Sequence, residues 1–207
     1  MRKTDTDREI TLKRKIIDTL LILVFGVVMG VVCKALDEAD MSGLPSFLQM
    51  LDLGNFFSRF AIWIFIAVCI SVFSYSAKRA ALNVFVFFAG MVTSYYMYSY
   101  FVAGFFPRTY AMIWFAITIV SPIPAFVCWY AKGEGKAGVF ITALIFGVLL
   151  SQAVFILQGI RIANAMDLAV WLASLWVLRR DWKEAGIAAA LSIPVAILVQ
   201  IFVPYWG

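Results

Sequence analysis

The sequence predicts an all-α integral membrane protein, a single bundle of seven transmembrane helices with its N-terminus cytoplasmic and its C-terminus outside. Three observations lead there. Of 207 residues, 64% are hydrophobic and 14% charged, with a mean hydropathy of +0.94, whereas charged residues make up about a quarter of a soluble domain. The apolar residues fall into seven segments of about 15 to 25 residues, long enough to cross roughly 30 Å of hydrocarbon at 1.5 Å per residue. The Lys and Arg residues then concentrate in alternate connections, as the positive-inside rule requires of cytoplasmic loops.

The seven segments are 16–35, 57–75, 80–103, 110–130, 137–157, 165–178 and 185–204. The first is expected to be a retained span, because its apolar run exceeds a signal-peptide core and no small-x-small cleavage site follows it. A lipid anchor at Cys33 is disfavoured by the bulky Val32 before it. With residues 1–15 as a basic cytoplasmic arm, thirteen of the 17 basic residues lie inside: Arg2, Lys3, Arg8, Lys13, Arg14, Lys15, Lys78, Arg79, Lys132, Lys136, Arg179, Arg180 and Lys183. Lys34, Arg59, Arg108 and Arg161 remain outside. The net charge of +5 therefore reads as an orientation signal and a contact with anionic lipid headgroups rather than a nucleic-acid surface.

The external loop 36–56 carries Leu44, Phe47, Leu48 and Leu51 at helical spacing behind Ser42 and Pro45, which predicts a short interfacial helix. Gly26 and Gly30, four apart in the first span, permit a close helix contact, either inside the bundle or as a homodimer face. Pro122, Pro124 and Pro194 interrupt the fourth and seventh spans and are candidate hinges, since each proline removes a backbone hydrogen bond and bends its helix.

Chemistry is constrained mainly by what is missing. The chain contains no histidine, which removes imidazole metal sites, Ser-His-Asp and Cys-His nucleophile systems and the usual proton shuttle. Cys33, Cys69 and Cys128 stand apart in three different segments without a CxxC partner. No cofactor or metal is indicated. An acid/base pair of Asp37 and Asp167 is the only enzymatic arrangement the residues offer, and no nucleophile motif supports it.

Polar residues inside the spans are unevenly distributed in depth. The outer half holds Lys34, Asn55, Arg59, Tyr95, Tyr96, Gln152, Gln158, Arg161, Asp167 and Gln200, with Asp37 at the lipid boundary; the inner half offers mainly Asp18, Asn83 and Ser121. Groups that avoid lipid must face one another or a cavity. One reading is local, with Lys34 paired to Asp37 or Glu38 and the two arginines reaching headgroup phosphates. The other gathers Lys34, Arg59 and Arg161, partly offset by Asp37 and Asp167, into an outward-facing site for a small polar, anionic solute, with glutamines and tyrosines fixing its orientation. The expectation adopted is a solute-binding or solute-translocating protein. Its alternative is an accessory or scaffold subunit acting through a membrane protein partner.

Seven spans also permit a three-plus-one-plus-three arrangement of parallel repeats, in which Lys34 and Arg161, and Asn55 and Asn164, would correspond. The run Ser76-Ala77-Lys78-Arg79-Ala80-Ala81-Leu82-Asn83, with Ala89-Gly90-Met91, Tyr95-Tyr96, Ser121-Pro122 and Trp129-Tyr130-Ala131-Lys132-Gly133, resembles a group of small bacterial polytopic membrane proteins of unknown function. That resemblance covers about half the chain and implies a bacterial inner-membrane setting. In size and outward polarity the chain is also similar to the substrate-capturing subunits of energy-coupling-factor vitamin transporters, from which the odd span count separates it.

Overall fold

An apolar sequence free of proline lets the first helix, α1 (Leu12–Glu38), run for 27 residues, about 40 Å at the α-helical rise. It extends beyond the predicted segment at both ends. In the computed structural model, which describes residues 11–39, 53–157 and 159–203, only a narrow strip of this helix is buried, formed by Gly26, Gly30, Cys33 and Lys34. The rest exposes Leu20, Leu21, Val24, Val28 and similar side chains, as suits a helix surrounded by lipid. The predicted interfacial helix around Leu44 to Leu51 lies outside the described residues.

The remaining elements follow the predicted order. They are α2 (Leu53–Ser58), α3 (Phe60–Phe73), α4 (Ala77–Phe101), α5 (Arg108–Val120), α6 (Pro122–Cys128), a 3₁₀ turn (Trp129–Lys132), α7 (Lys136–Ala153), strands β1 (Val154–Phe155) and β2 (Arg161–Ile162), α8 (Ala165–Leu178) and α9 (Trp182–Phe202). Among the described residues the regular structure is thus helical apart from one short hairpin, in which Val154 pairs with Ile162 and Phe155 with Arg161. That hairpin shortens the expected fifth span, which ends at Ala153 rather than at residue 157. The expected second span is likewise divided, with Arg59 separating α2 from α3.

Among the described residues, four helices are long and apolar enough to cross a membrane: α1, α4, α7 and α9. The count is up to five when α5 and the Pro122–Lys132 segment, bent by 42° at Ser121, are taken as one broken span. Pro122 stands at the first position of α6, where its missing N–H costs least. Pro194 is accommodated inside α9. The short apolar helices α3 and α8, 14 residues each, reach about 21 Å.

The described chain divides into two compact units. One holds α1, α2, α4, α5 and most of α6. Here α1 and α4 run parallel, because contacting residue numbers rise together. Arg79 donates to the Lys15 carbonyl and, at 3.0 Å, to Thr19 Oγ1; Thr19 Oγ1 donates to Asn83 Oδ1 at 2.9 Å; Ser94 Oγ donates to the Val27 carbonyl at 2.9 Å. The two backbones touch through glycine. A Cβ on Gly26 would stand 2.3 Å from the Phe87 carbonyl oxygen, and one on Gly30 2.2 Å from that of Met91. The Gly26/Gly30 pattern is therefore used within the chain. Near the α4 start, Tyr75 donates to Asp18 at 2.6 Å, a bond that holds the phenol proton above its usual range.

The second unit holds α3, the 3₁₀ turn, the hairpin and α7 to α9. Its long helices α7 and α9 are also parallel, since Gly147 meets Ser192 and Val195 and the Ser151 carbonyl accepts from Gln200 at 3.1 Å. The short α8 runs back between their levels, from Asp167 beside Gln152 to Arg180 beside Gly133.

The two sets of helices share one design. From α3 into α4 and from α8 into α9, each landmark in the second set lies 105 residues after its counterpart: Phe60 and Ala165, Phe73 and Leu178, Ala77 and Trp182. The buried residues of α9, Ala185, Ala188, Ser192 and Ala196, correspond at that spacing to Ala80, Asn83, Phe87 and Met91, all buried in α4. The glycine contacts match as well, with Gly26 against the Phe87 carbonyl and Gly147 against that of Ser192. The correspondence links Arg59 with Asn164, not Asn55 with Asn164.

Adding a methyl group at these contacts forces the helices apart. Gly30→Ala and Gly147→Ala are each expected to lower stability by about 1–3 kcal/mol, read as a drop in thermal unfolding temperature in detergent. Gly186, which has nothing within 4 Å of a built Cβ, serves as the control: Gly186→Ala should be neutral or stabilising by about 0.5–1 kcal/mol.

Candidate functional site

Asn164 ends an extended segment and begins α8 by accepting from the backbone N–H groups of Met166, at 2.8 Å, and Asp167, at 3.4 Å. This is the preferred side chain for the position, and it starts the helix so that Asp167 falls in its first turn. Asp167 is completely buried. Its Oδ2 accepts from Arg59 Nε at 2.5 Å, and Arg59 Nη2 also donates to the Gln152 carbonyl at 3.2 Å. The Gln152 carbonyl belongs to the last turn of α7, where backbone oxygens have no partner within the helix. Arg59 thus neutralises a buried carboxylate and closes a helix end together.

Gln200 closes the same end from α9. Its Nε2 donates to the Ser151 carbonyl at 3.1 Å and the Val154 carbonyl at 2.6 Å, while its Oε1 accepts from the Ile156 N–H at 3.1 Å. Four sequence-nominated residues, Arg59, Gln152, Asp167 and Gln200, are therefore brought together around the C-terminus of α7. Arg161 lies on the exposed hairpin with its guanidinium 5.2 Å from the Phe155 ring centroid. Gln158 lies outside the described residues.

The other unit gathers a second group. Lys34 is 4% exposed. It pairs with Glu38, and its ammonium stands 4.6 Å from the Phe105 ring centroid and 5.6 Å from that of Tyr95. Tyr95 donates to Asp37. Tyr96 is buried against the rings of Tyr95, Phe106 and Phe115, at centroid distances of 5.1, 5.7 and 6.1 Å. Asn55 is exposed on α2, where its carbonyl accepts from Ser58 Oγ at 2.7 Å.

Between the two alternatives for Lys34, the ion pair goes to Glu38 and Asp37 is taken by the tyrosine. Arg59 stands at the break between α2 and α3, outside both helices. Its partner lies 108 residues away, beyond the reach of spacing arguments. Phe105 beside Lys34 and Asn164 at the start of the Asp167 helix join these groups without having been nominated. Of these, Asn164 was signalled: an asparagine immediately before an apolar helical run, with an acidic residue three positions on, marks a helix start.

Two buried polar atoms near this cluster have no hydrogen-bond partner among the described residues, Asp167 Oδ1 and, one turn further along α8, Trp171 Nε1. A shallow cleft lies at the other end of α8, lined by Leu178, Arg180, Glu184 and residues of α7 and α9. No group of three His, Cys, Asp or Glu among the described residues could hold a metal ion. No family model, curated protein or solved structure matches the chain.

A carboxylate left in a low-dielectric interior without its cation is costly. Arg59→Gln should destabilise the protein by about 3–5 kcal/mol, whereas Arg59→Met combined with Asp167→Leu should come within about 1–2 kcal/mol of the parent or exceed it. Denaturant unfolding in mild detergent tests both, and equal losses in the single and double variants would show that the pair is not electrostatically coupled.

Proposed function

We propose that the protein binds or translocates a small polar solute across the membrane, through a site on the outer side of the bundle centred on Arg59. The observation that carries the reading is the Arg59–Asp167 pair, an ion pair buried at the start of two short apolar helices. Intramembrane ionisable groups are expensive and mark solute or ion pathways. The matched helix sets support it, because parallel repeats with interrupted or shortened helices are a recurring construction in secondary transporters. The outer basic residues favour a solute with an anionic group.

The topology proposed with this function is seven crossings, N-terminus inside, in the bacterial cytoplasmic membrane. The setting rests on the sequence resemblance and the orientation on the basic loops. The crossing count draws on anchored chain positions. Gly54 lies beside the Leu36 end of α1, with 3.7 Å from a built Cβ to the Leu36 carbonyl, whereas Tyr75 reaches Asp18 near its start. The connection between them must therefore return over about 27 Å.

Two measurements test these statements. In intact cells producing otherwise cysteine-free protein, an impermeant maleimide should label Ile160→Cys but reach Glu134→Cys only after permeabilisation; the opposite pattern would invert the topology. In lipid nanodiscs, a panel of small polar metabolites should include at least one that raises the unfolding temperature, with the effect lost in Arg59→Ala. If no solute stabilises the protein, or Arg59→Ala responds as the parent does, the binding proposal fails.

A further inference from the structure

The residues around Asp167 narrow the chemical class of that solute. We infer that the Arg59–Asp167 pair recognises a zwitterion, a small amino-acid-like molecule whose carboxylate takes the guanidinium and whose ammonium takes the Asp167 carboxylate. The inference rests on the proposed solute-binding function and replaces a simple anion with a molecule bearing both charges.

Charge balance is the reason. Asp167 is completely buried and its Oδ2 is held by Arg59 at 2.5 Å. A simple anion that drew Arg59 away would leave a buried carboxylate without its cation, and a simple cation that drew Asp167 away would strand the guanidinium. Either exchange meets the desolvation penalty in full. A zwitterion exchanges one ion pair for two and leaves no charge unmatched.

The free valences of the cluster agree. Asp167 Oδ1 has no donor among the described residues, so a lone-pair position already points to an incoming N–H while Oδ2 is still occupied. Trp171 Nε1 is buried without an acceptor among the described residues, four positions along the same helix and so on the same face, about 5–6 Å away between Cβ atoms. That indole N–H can donate to a solute carboxylate or hydroxyl. An acceptor and a donor left open one helical turn apart match a ligand that carries both functions. The planar guanidinium of Arg59 suits a carboxylate in two-point contact, and while it holds the Gln152 carbonyl at 3.2 Å its position at the end of α7 is fixed.

The test is thermal unfolding of the full chain in nanodiscs with the common L-amino acids as probes, alongside acetate, succinate, phosphate and methylammonium. At least one amino acid should raise the unfolding temperature saturably, and the simple ions should not. Asp167→Asn should lose that response. The charge exchange Arg59→Asp with Asp167→Arg, which keeps a pair in place if single variants fail to fold, should retain it. An Arg59-dependent rise with acetate, succinate or phosphate alone overturns the zwitterion assignment and leaves the solute-binding function standing. A parent protein that responds to none of these probes, while another solute stabilises it, also overturns the assignment; a parent that no solute stabilises overturns both.

Discussion

The contact that the described architecture depends on is a glycine α-carbon laid against a carbonyl oxygen of a parallel helix. At Gly26, Gly30 and Gly147 even one methyl group would fall within 2.4 Å of its neighbour. Lipid offers no hydrophobic reward for bringing helices together, so close packing and interhelical hydrogen bonds must supply the attraction. Short side chains make both available here. Ser94 reaches the Val27 carbonyl only because the α1 and α4 backbones are so close. This contact joins the first and third long helices of each set and leaves the short second helix to pack elsewhere within its unit.

A helix that ends inside an apolar protein leaves polar backbone groups without partners. The chain meets that need with side chains. Asn164 occupies the first N–H groups of α8, and Arg59 and Gln200 occupy the last carbonyls of α7. Arg59 is then held where it can also face Asp167. The charged cluster and the helix ends are thus one arrangement, and the polar residues that could meet a solute are the same ones that complete the backbone.

How much of this was legible in the sequence follows from the range of each interaction. Hydropathy located the helices, since burial in lipid needs only local composition, and it erred at ends decided by other chains of contact: the hairpin after Ala153 and the break at Arg59. The outer polar set was visible as a list, and its partition was not. Nothing between Arg59 and Asp167 reveals that they meet, and the choice of Glu38 over Asp37 by Lys34 depended on Tyr95, 58 positions beyond Asp37. The repeat was sought through similar residues at similar depths, whereas the correspondence lies in the length of the two short helices and in the buried register of α4 and α9, which tolerate almost any apolar substitution.

The parallel pairing also sets an order of events during synthesis. Gly26 cannot meet Phe87 until about sixty more residues have been made, which at about 5–20 residues per second keeps α1 and α4 apart for roughly 3–12 seconds. A helix that waits that long must be content in lipid on every side. α1 has the highest hydropathy of the four long helices, 2.7, and only 17% of its most apolar window is buried. α7 emerges into a membrane that already holds the earlier helices, and it can carry a face that is 56% buried. α9, the last of the four to be made, is again mostly exposed, with 22% of its window buried.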